Sequence, residues 1–558
     1  MSDQGDLRLG GFAAAVDARL ARWRDEAFGK RMWEKDFRLW SPEPIPELSN
    51  RLGWLDLPNG MTAEVDRLTR LGRDAQLEGM RDAVVLGMGG SSLAPEVYSR
   101  TFGPAFGHPA LTVLDSTHPD AVRSLAQRLD PARSLFVVSS KSGTTTEMRS
   151  FFFYFWEMLK GVPDRGRHFV AVTDPGTPLE AMARERGFRA VVNAPEEVGG
   201  RYSALTPFGL VPAALLGVDT GRLLSRARGM AEACGPQVSA ENSPGLRLGA
   251  AMGELALAGR DKVTFVTSHS LESFPDWIEQ LIAESTGKII LKGGEHRGIV
   301  PVAGEPLGAP ESYGGDRFFA ALLLQGDDVS GIEQRLEALE RAGHPVARFH
   351  LSDRYDLGAE MFRWEVATAA AGAVLELNPF DQPDVQLAKE LAGKMMKAAE
   401  SGTLPPSEGE IRAAEPQALA AGLAKWVRGA KTGDYLGLHA YLAPTPRKTE
   451  ELRALQAALH EKTRLAVTLG YGPRFLHSTG QLHKGGPDRC RFLQLVDEPS
   501  EDLAVPETNY TFGTLIRAQA EGDRQALEQR GRQVLRVQLG HDDDQGLRRL
   551  IQDLGTAL

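Results

Sequence analysis

A chain of 558 residues is too long for one ordinary core and corresponds to roughly two to four domains. Its composition, 42% hydrophobic and 25% charged, excludes a disordered scaffold, and a net charge of -10 without long acidic blocks excludes a general affinity for the phosphates of DNA or RNA. Two cysteines, Cys234 and Cys490, with no Cys-x-x-Cys spacing, exclude a disulfide framework and a structural zinc site, and fit a reducing compartment.

The opening "MSDQGD" carries two acids where a secretion signal needs basic residues. No apolar run approaches the ~18 residues of a membrane span, so a cytoplasmic protein with no membrane partner is expected. Residues 1–60, with "FAAAVDARLARWRDEAF" at helical period and then "SPEPIPEL", predict an N-terminal helical arm. From "DAVVLGMGGSSLAPEVY" at 82 the pattern becomes strand, glycine turn, helix, and it recurs at "LTVLDST" (111) and "SLFVVSSKSGTTTE" (134). Short strands follow at 168 and 188, giving a first unit over 61–240. The apolar "FFFYFW" at 151–156 is read as the buried side of a helix.

A second series begins at "DKVTFVTSHS" (261), continues at 317 and 344, and gives a unit over 241–400. The polar stretch 400–417 reads as a linker or surface loop, and a C-terminal segment occupies 415–558. The alternation predicts an α/β protein: two parallel-sheet domains with helices on both faces, plus a C-terminal α/β segment. "DRFFAALLLQGDD" with "LERAGHPVARFHLSD" resembles "DRCRFLQLVDEP" with "LEQRGRQVLRVQLGHDD", which is either a partial duplication or convergent patterning.

The decade "SSKSGTTTEM" at 139–148 joins a strand to a helix. Thr144-x-x-Glu147 has capping-box spacing and places a helix start at 143–145. The first N–H groups of a helix lack intrahelical partners, and the macrodipole adds positive charge there. With the hydroxyls of Ser140, Ser142, Thr144 and Thr145, the stretch reads as a cradle for a dianionic phosphate, the alternative being an ordinary Ser/Thr-rich cap with no ligand. "GMGGSS" at 87–92 also follows a strand and can face the same ligand. Its Ser92 occupies the third glycine place of G-x-G-x-x-G, and it is not a P-loop, which argues against dinucleotides and ATP. In "DWIEQLIAESTGKIILKG" (276–293), Gln280, Glu284 and Lys288 fall at i, i+4 and i+8 on one helix face, a spacing shared by solvated charge ladders and acid–base sites.

Read together and in order, "GMGGSS", "SSKSGTT", "GGRYSALTPFGLVPAALLG", "QLIAESTGK" and "NPFDQPDVQLAK" resemble the successive signature segments of the phosphoglucose isomerase family, over roughly residues 80–395. The chain is most similar to the isomerase half of bifunctional transaldolase/glucose-6-phosphate isomerases, without the transaldolase half. The resemblance implies two sugar-isomerase (SIS) domains that interconvert glucose 6-phosphate and fructose 6-phosphate through a cis-enediolate. It implies no metal or redox cofactor, and a sugar phosphate as the partner.

By the same resemblance Glu284 is the base that moves a proton between C1 and C2. Arg201 stabilises the enediolate, and Lys389 assists ring opening. Gln280 and Gln382 hold sugar hydroxyls. The phosphate sits at Ser140, Ser142 and Thr145, with Gly90, Ser91 and Lys141 beside it.

The family's ring-opening histidine has no counterpart in "ESYGGDRFF" (311–319). "YGPRFLHSTGQLHKGGP" (471–487) supplies His477 and His483 instead, and His483, after Gly480-Gln481-Leu482, is the preferred substitute, with His477 second and His296 third. The family implies a homodimer that borrows its histidine across the interface, whereas one delivered by the C-terminal segment acts within one chain. Two rival readings remain at this level: an isomerase that also accepts mannose 6-phosphate, and a non-catalytic SIS regulator that needs the cradle but not Glu284, Arg201 and Lys389.

Overall fold

The computed structural model describes residues 4–290, 294–400, 409–541 and 543–557. Its frame is three five-stranded sheets. The first runs β2 (Asp82–Leu86), β3 (Ala110–Leu114), β4 (Ser134–Ser139), β5 (Phe169–Thr173) and β6 (Ala190–Asn193), all parallel, in spatial order 3-2-4-5-6. The second holds β7 (Lys262–Thr267), β10 (Val300–Val302), β11 (Arg317–Leu324) and β12 (Val346–Leu351), with the short pair β8 (Lys288–Ile289) and β9 (His296–Arg297) outside it. The third holds β13 (Ile411–Arg412), β14 (Tyr435–Tyr441), β15 (Ala466–Tyr471), β16 (Cys490–Val496) and β17 (Gln533–Gln538), all parallel.

All three sheets repeat one arrangement. In the second the order 10-7-11-12, and in the third 15-14-16-17, reproduces the 3-2-4-5 of the first: the second strand lies outside the first, and the third returns to its other side. The two similar stretches of sequence are β11 with β12 and β16 with β17, which hold the same places in their sheets.

Near-continuous apolar strands bury both faces. In β2, Ala83 and Val85 face one core, and Val84 and Leu86 another. The first of these cores is shared: it continues through Phe318, Ala320 and Leu322 of β11, so the first two sheets close on one body of side chains. The helix Leu357–Val374, buried almost throughout, runs through it. Phe152, Phe153 and Trp156 of the "FFFYFW" run lie in the core on the other face of the first sheet.

The N-terminal arm is helical over Ala13–Asp25 and Phe28–Trp33 and packs on the body of the fold: Val16, Leu20, Trp23, Trp40 and Trp54 are buried in the shared core, and β1 (Asp6–Arg8) pairs antiparallel with β12 at the edge of the second sheet. Helical periodicity reported its exposed face and concealed its destination. The linker read at 400–417 lies partly outside the described residues, and its described end already contains β13, which joins the third sheet ahead of 415. The helix Val385–Glu400, assigned to the second unit, packs along the helix Phe512–Gln529 of the third.

The third sheet is docked on the first. Phe512 stacks on Phe151 at 6.0 Å, and its burial contributes about 1.5–3 kcal/mol. Arg474 forms ion pairs with Glu96 and, at 3.2 Å, with Asp115, and His118 Nε2 lies 3.1 Å from both carboxylate oxygens of Asp497. Among the described residues no helix is long and apolar enough to cross a membrane.

Candidate active site

The turns that follow β2 and β4 open at the carboxyl ends of the first sheet, where open parallel sheets bind ligands. The backbone there is close-packed. A Cβ on Gly90 would stand 2.0 Å from the Gly200 carbonyl oxygen, and one on Gly89, at φ +56°, would stand 2.6 Å from that of His477. Glycine lets the turn 89–91 nest between the 200–202 turn of the first unit and the 474–477 turn of the third.

A cleft of about 420 Å³ opens at this junction, within the usual range of small-molecule sites. It is lined by Ser140, Lys141, Ser142 and Thr145 with Gly90 and Ser91, and by Gln280, Glu284, Gln382, Lys389 and His477. Ser142 and Glu284 therefore line one cavity. Thr144, Arg201 and His483, also singled out in the sequence, do not line it.

In the cradle Ser140 Oγ lies 2.9 Å from Thr145 Oγ1 and accepts the Gly143 N–H at 3.1 Å. Thr144 turns outward and meets Ser142 Oγ at 2.9 Å. The helix begins at Thr146, and the capping box is absent: Thr145 makes no side-chain cap bond. Glu147 instead turns away from its own helix end. Its Oε1 accepts His477 Nε2 at 3.0 Å and Gln519 Nε2 at 2.7 Å. Burial pushes this carboxyl up, but the charge and hydrogen bond of His477 outweigh that and hold it below the ordinary carboxylate value.

Lys141 is tied to Asp174 and donates to the Glu196 carbonyl at 3.1 Å. Burial holds the Asp174 carboxyl above its ordinary value in spite of that lysine. Arg51, from the N-terminal arm, reaches the same wall.

Gln280 and Glu284 share one face of the helix Phe274–Thr286, as the four-residue spacing predicts. Lys288 does not: the helix ends at Thr286, and Lys288 lies in β8, donating to the carbonyls of Asn378 (2.5 Å) and Asp381 (2.6 Å) and to the Asp381 carboxylate (2.7 Å). Burial pushes its ammonium down to about 8.

Arg201 is 2% exposed and sits behind Glu284, donating to Glu284 Oε2 at 3.0 Å, Ser285 Oγ at 2.9 Å, and the carbonyls of Pro379 and Asp381 at 2.8 Å each. A planar fork with five donors meets this divergent set where an ammonium could not. Gln280 donates to Glu284 Oε1 at 3.3 Å and to the His477 carbonyl at 2.8 Å. The Gln280 carbonyl oxygen and Ser139 Oγ, both buried on the cleft wall, have no hydrogen-bond partner among the described residues. Such acceptor and hydroxyl positions fit a polyhydroxylated ligand.

The two histidines exchange rank. His483 is 2% exposed inside the third unit, its ring 4.7 Å from that of His439 and packed on Phe475 and Phe492. Burial, then the charges around it, push it well below its ordinary pKa. His477 faces the cleft, and its Nδ1 has no protein partner among the described residues. The likeness of "GQLH" to a family motif put His483 first, but that ring does not line the cleft, because a motif does not report which turn meets another unit. His296 is exposed, its Nδ1–H donating to the Gly485 carbonyl at 2.7 Å, and it does not line the cleft. Glu147 was visible but read as a cap; Gln519, Arg51 and Asp174 carried no motif. Among the described residues no group of three or more His, Cys, Asp or Glu side chains is placed to hold a metal ion.

Comparison with known proteins finds relatives in both sequence and structure. A family model described as phosphoglucose isomerase matches residues 70–333, a stretch that includes the cradle, Arg201 and Glu284 but ends before Gln382, Lys389 and His477. A curated glucose-6-phosphate isomerase of Thermus thermophilus is 32% identical over 390 residues, covering 63% of this chain and 91% of that protein. One from Carboxydothermus hydrogenoformans is 29% identical over 392 residues, covering 61% and 83%. Among solved structures, a hypothetical protein of Thermus thermophilus is 30% identical with a TM-score of 0.60, covering 70% of this chain and 99% of that one. A glucose-6-phosphate isomerase of Chlamydia trachomatis, 20% identical, shares the fold with a TM-score of 0.54, covering 67% and 78%.

Proposed function

Since the chain belongs to the phosphoglucose isomerase family, we propose that it interconverts glucose 6-phosphate and fructose 6-phosphate in this cleft, with Glu284 as the base. The observation that carries the reading is that Glu284, paired at 3.0 Å with the buried Arg201 behind it, lines the same cavity as Ser140, Ser142 and Thr145. The phosphate end anchors the sugar, and Lys141 offsets its charge. Glu284 takes the proton from C2 of the open-chain aldose, giving the cis-enediolate, and returns it at C1. The C1 carbonyl oxygen becomes an enediolate oxygen and is protonated as the C2 hydroxyl becomes the ketone. The buried Arg201 charge keeps Glu284 oriented and favours the anion that forms beside it.

Before that step the hexose ring must open, which needs a proton delivered to the ring oxygen and one removed from the anomeric hydroxyl. His477 and Lys389 flank the cleft for this step, and Glu147 holds the His477 ring by its Nε2. The cytoplasm and a free sugar phosphate complete the reading.

Glu284→Gln preserves shape and removes the base. The expected result is loss of exchange between the C2 proton of glucose 6-phosphate and solvent deuterium, followed by NMR, with substrate affinity kept. Exchange persisting at the wild-type rate assigns the base elsewhere.

A further inference from the structure

We propose that Gln519 is a positioning residue for ring opening: held by Thr117, its carboxamide fixes the Glu147 carboxylate that in turn fixes His477. The inference rests on the ring-opening role given to His477 above.

Gln519 lies on the helix Phe512–Gln529 of the third unit, 4% exposed, and does not line the cleft. Its two ends are assigned by chemistry. A carboxylate only accepts, so the end 2.7 Å from Glu147 Oε1 is the amide nitrogen. The amide oxygen then needs a donor, and the fully buried Thr117 hydroxyl provides one at 2.7 Å. The order Thr117, Gln519, Glu147, His477 has a single direction of donation between its first three members, and no flipped amide satisfies both contacts.

The same Glu147 oxygen also meets His477 Nε2 at 3.0 Å, so it accepts from two donors that approach from the third unit. With Nε2–H committed to the carboxylate, Nδ1 is the nitrogen left to exchange a proton with the sugar. Glu147 and Thr117 follow strands of the first sheet, whereas Gln519 and His477 belong to the third unit. A carboxylate held by one donor can swing about its final torsion; held by two, it gives the imidazole one orientation.

The test uses the full chain, with Gln519→Met, which keeps length and volume but has no amide, and Thr117→Val, which leaves Gln519 in place without its donor. Turnover is measured on fructose 6-phosphate and on 5-deoxyfructose 6-phosphate, which has no C5 hydroxyl with which to close a ring. Gln519→Met is expected to lower kcat on fructose 6-phosphate about 10–100-fold, the range for removing a partner that orients a reacting group, with KM little changed. Turnover of the 5-deoxy substrate stays at the wild-type level. Thr117→Val gives a smaller change in the same direction, which keeps the test open if Gln519→Met misfolds.

Equal loss on both substrates, or a loss confined to KM, overturns the proposal and leaves Gln519 a packing residue. His477→Ala separates the two readings. If it too spares fructose 6-phosphate, the ring-opening role of His477 fails first; if it slows only the ring-closed substrate while Gln519→Met does not, the positioning role alone fails.

Discussion

Arg201 illustrates how one side chain joins stability to chemistry. It is a buried cation whose donors reach Glu284, Ser285 and two carbonyls of the 379–381 turn, and Lys288 holds the same turn from another side. Removing one member of a buried pair leaves the other charge uncompensated, which costs about 3–5 kcal/mol. Arg201→Ala is therefore expected to lower the chemical-denaturation stability by that amount as well as to abolish activity. Arg201→Lys keeps the charge but cannot reach four acceptors, so it should fold better than the alanine variant and still lose on the order of 10² in kcat, the cost of misplacing the Glu284 carboxylate that the fork orients. A lysine variant with wild-type kcat would show that charge without the fork is enough. At this scale the sequence was most legible where chemistry constrains residue type within a short stretch: Ser140, Ser142, Gln280 and Glu284 meet in one cleft. It was least legible for Gln519 and Arg51, ordinary surface-type residues whose role arises only from what the fold brings opposite them.

At the scale of elements, apolar strands broken by glycine turns announced a parallel α/β protein, because a strand buried on both faces leaves no alternation to misread. Short or shared elements were not announced. β1 and β13 are too brief to carry a pattern, and the arm before residue 60 reads as amphipathic whether it packs on a shared core or stands apart. The helix Leu357–Val374 raises a different matter. Glu365, in its middle, is fully buried, and neither carboxylate oxygen has a hydrogen-bond partner among the described residues. Burial pushes its pKa well above the ordinary value of 4.5. The folded chain keeps this proton, and the unfolded chain releases it once the pH exceeds that ordinary value. The folded state thus binds more protons over that interval, and stability falls as pH rises, by up to about 1.4 kcal/mol per pH unit. Glu365→Gln removes the requirement. The variant is expected to gain on the wild type in denaturant midpoint, with a gap that is wider at pH 8 than at pH 5. A gap independent of pH would mean that Glu365 is ionised in the fold.

At the scale of the whole molecule, the third unit contributes to the cleft of the other two. It places the His477 turn against Gly89, anchors that turn through Arg474 to Glu96 and Asp115, and supplies a second donor to Glu147. Glu284, the cradle and His477 line a cavity formed by one chain, so under the proposed roles each chain carries base and ring-opening histidine together. This separates the arrangement from one in which subunits lend histidines to each other. Where residues are exchanged across a two-fold interface, mixing a His477→Ala chain with a Glu284→Gln chain rebuilds one intact site in each mixed dimer, and random pairing restores about a quarter of wild-type sites. With both residues contributed by the same chain, every site in the mixture lacks one of the two. Co-refolding the two variants in equal amounts and measuring fructose 6-phosphate turnover is expected to give no more activity than the average of the separate variants, whatever oligomer forms. Recovery towards a quarter of wild type would mean that the catalytic histidine reaches the cleft from another copy, and that the His477–Glu147 contact within one chain is not the working one.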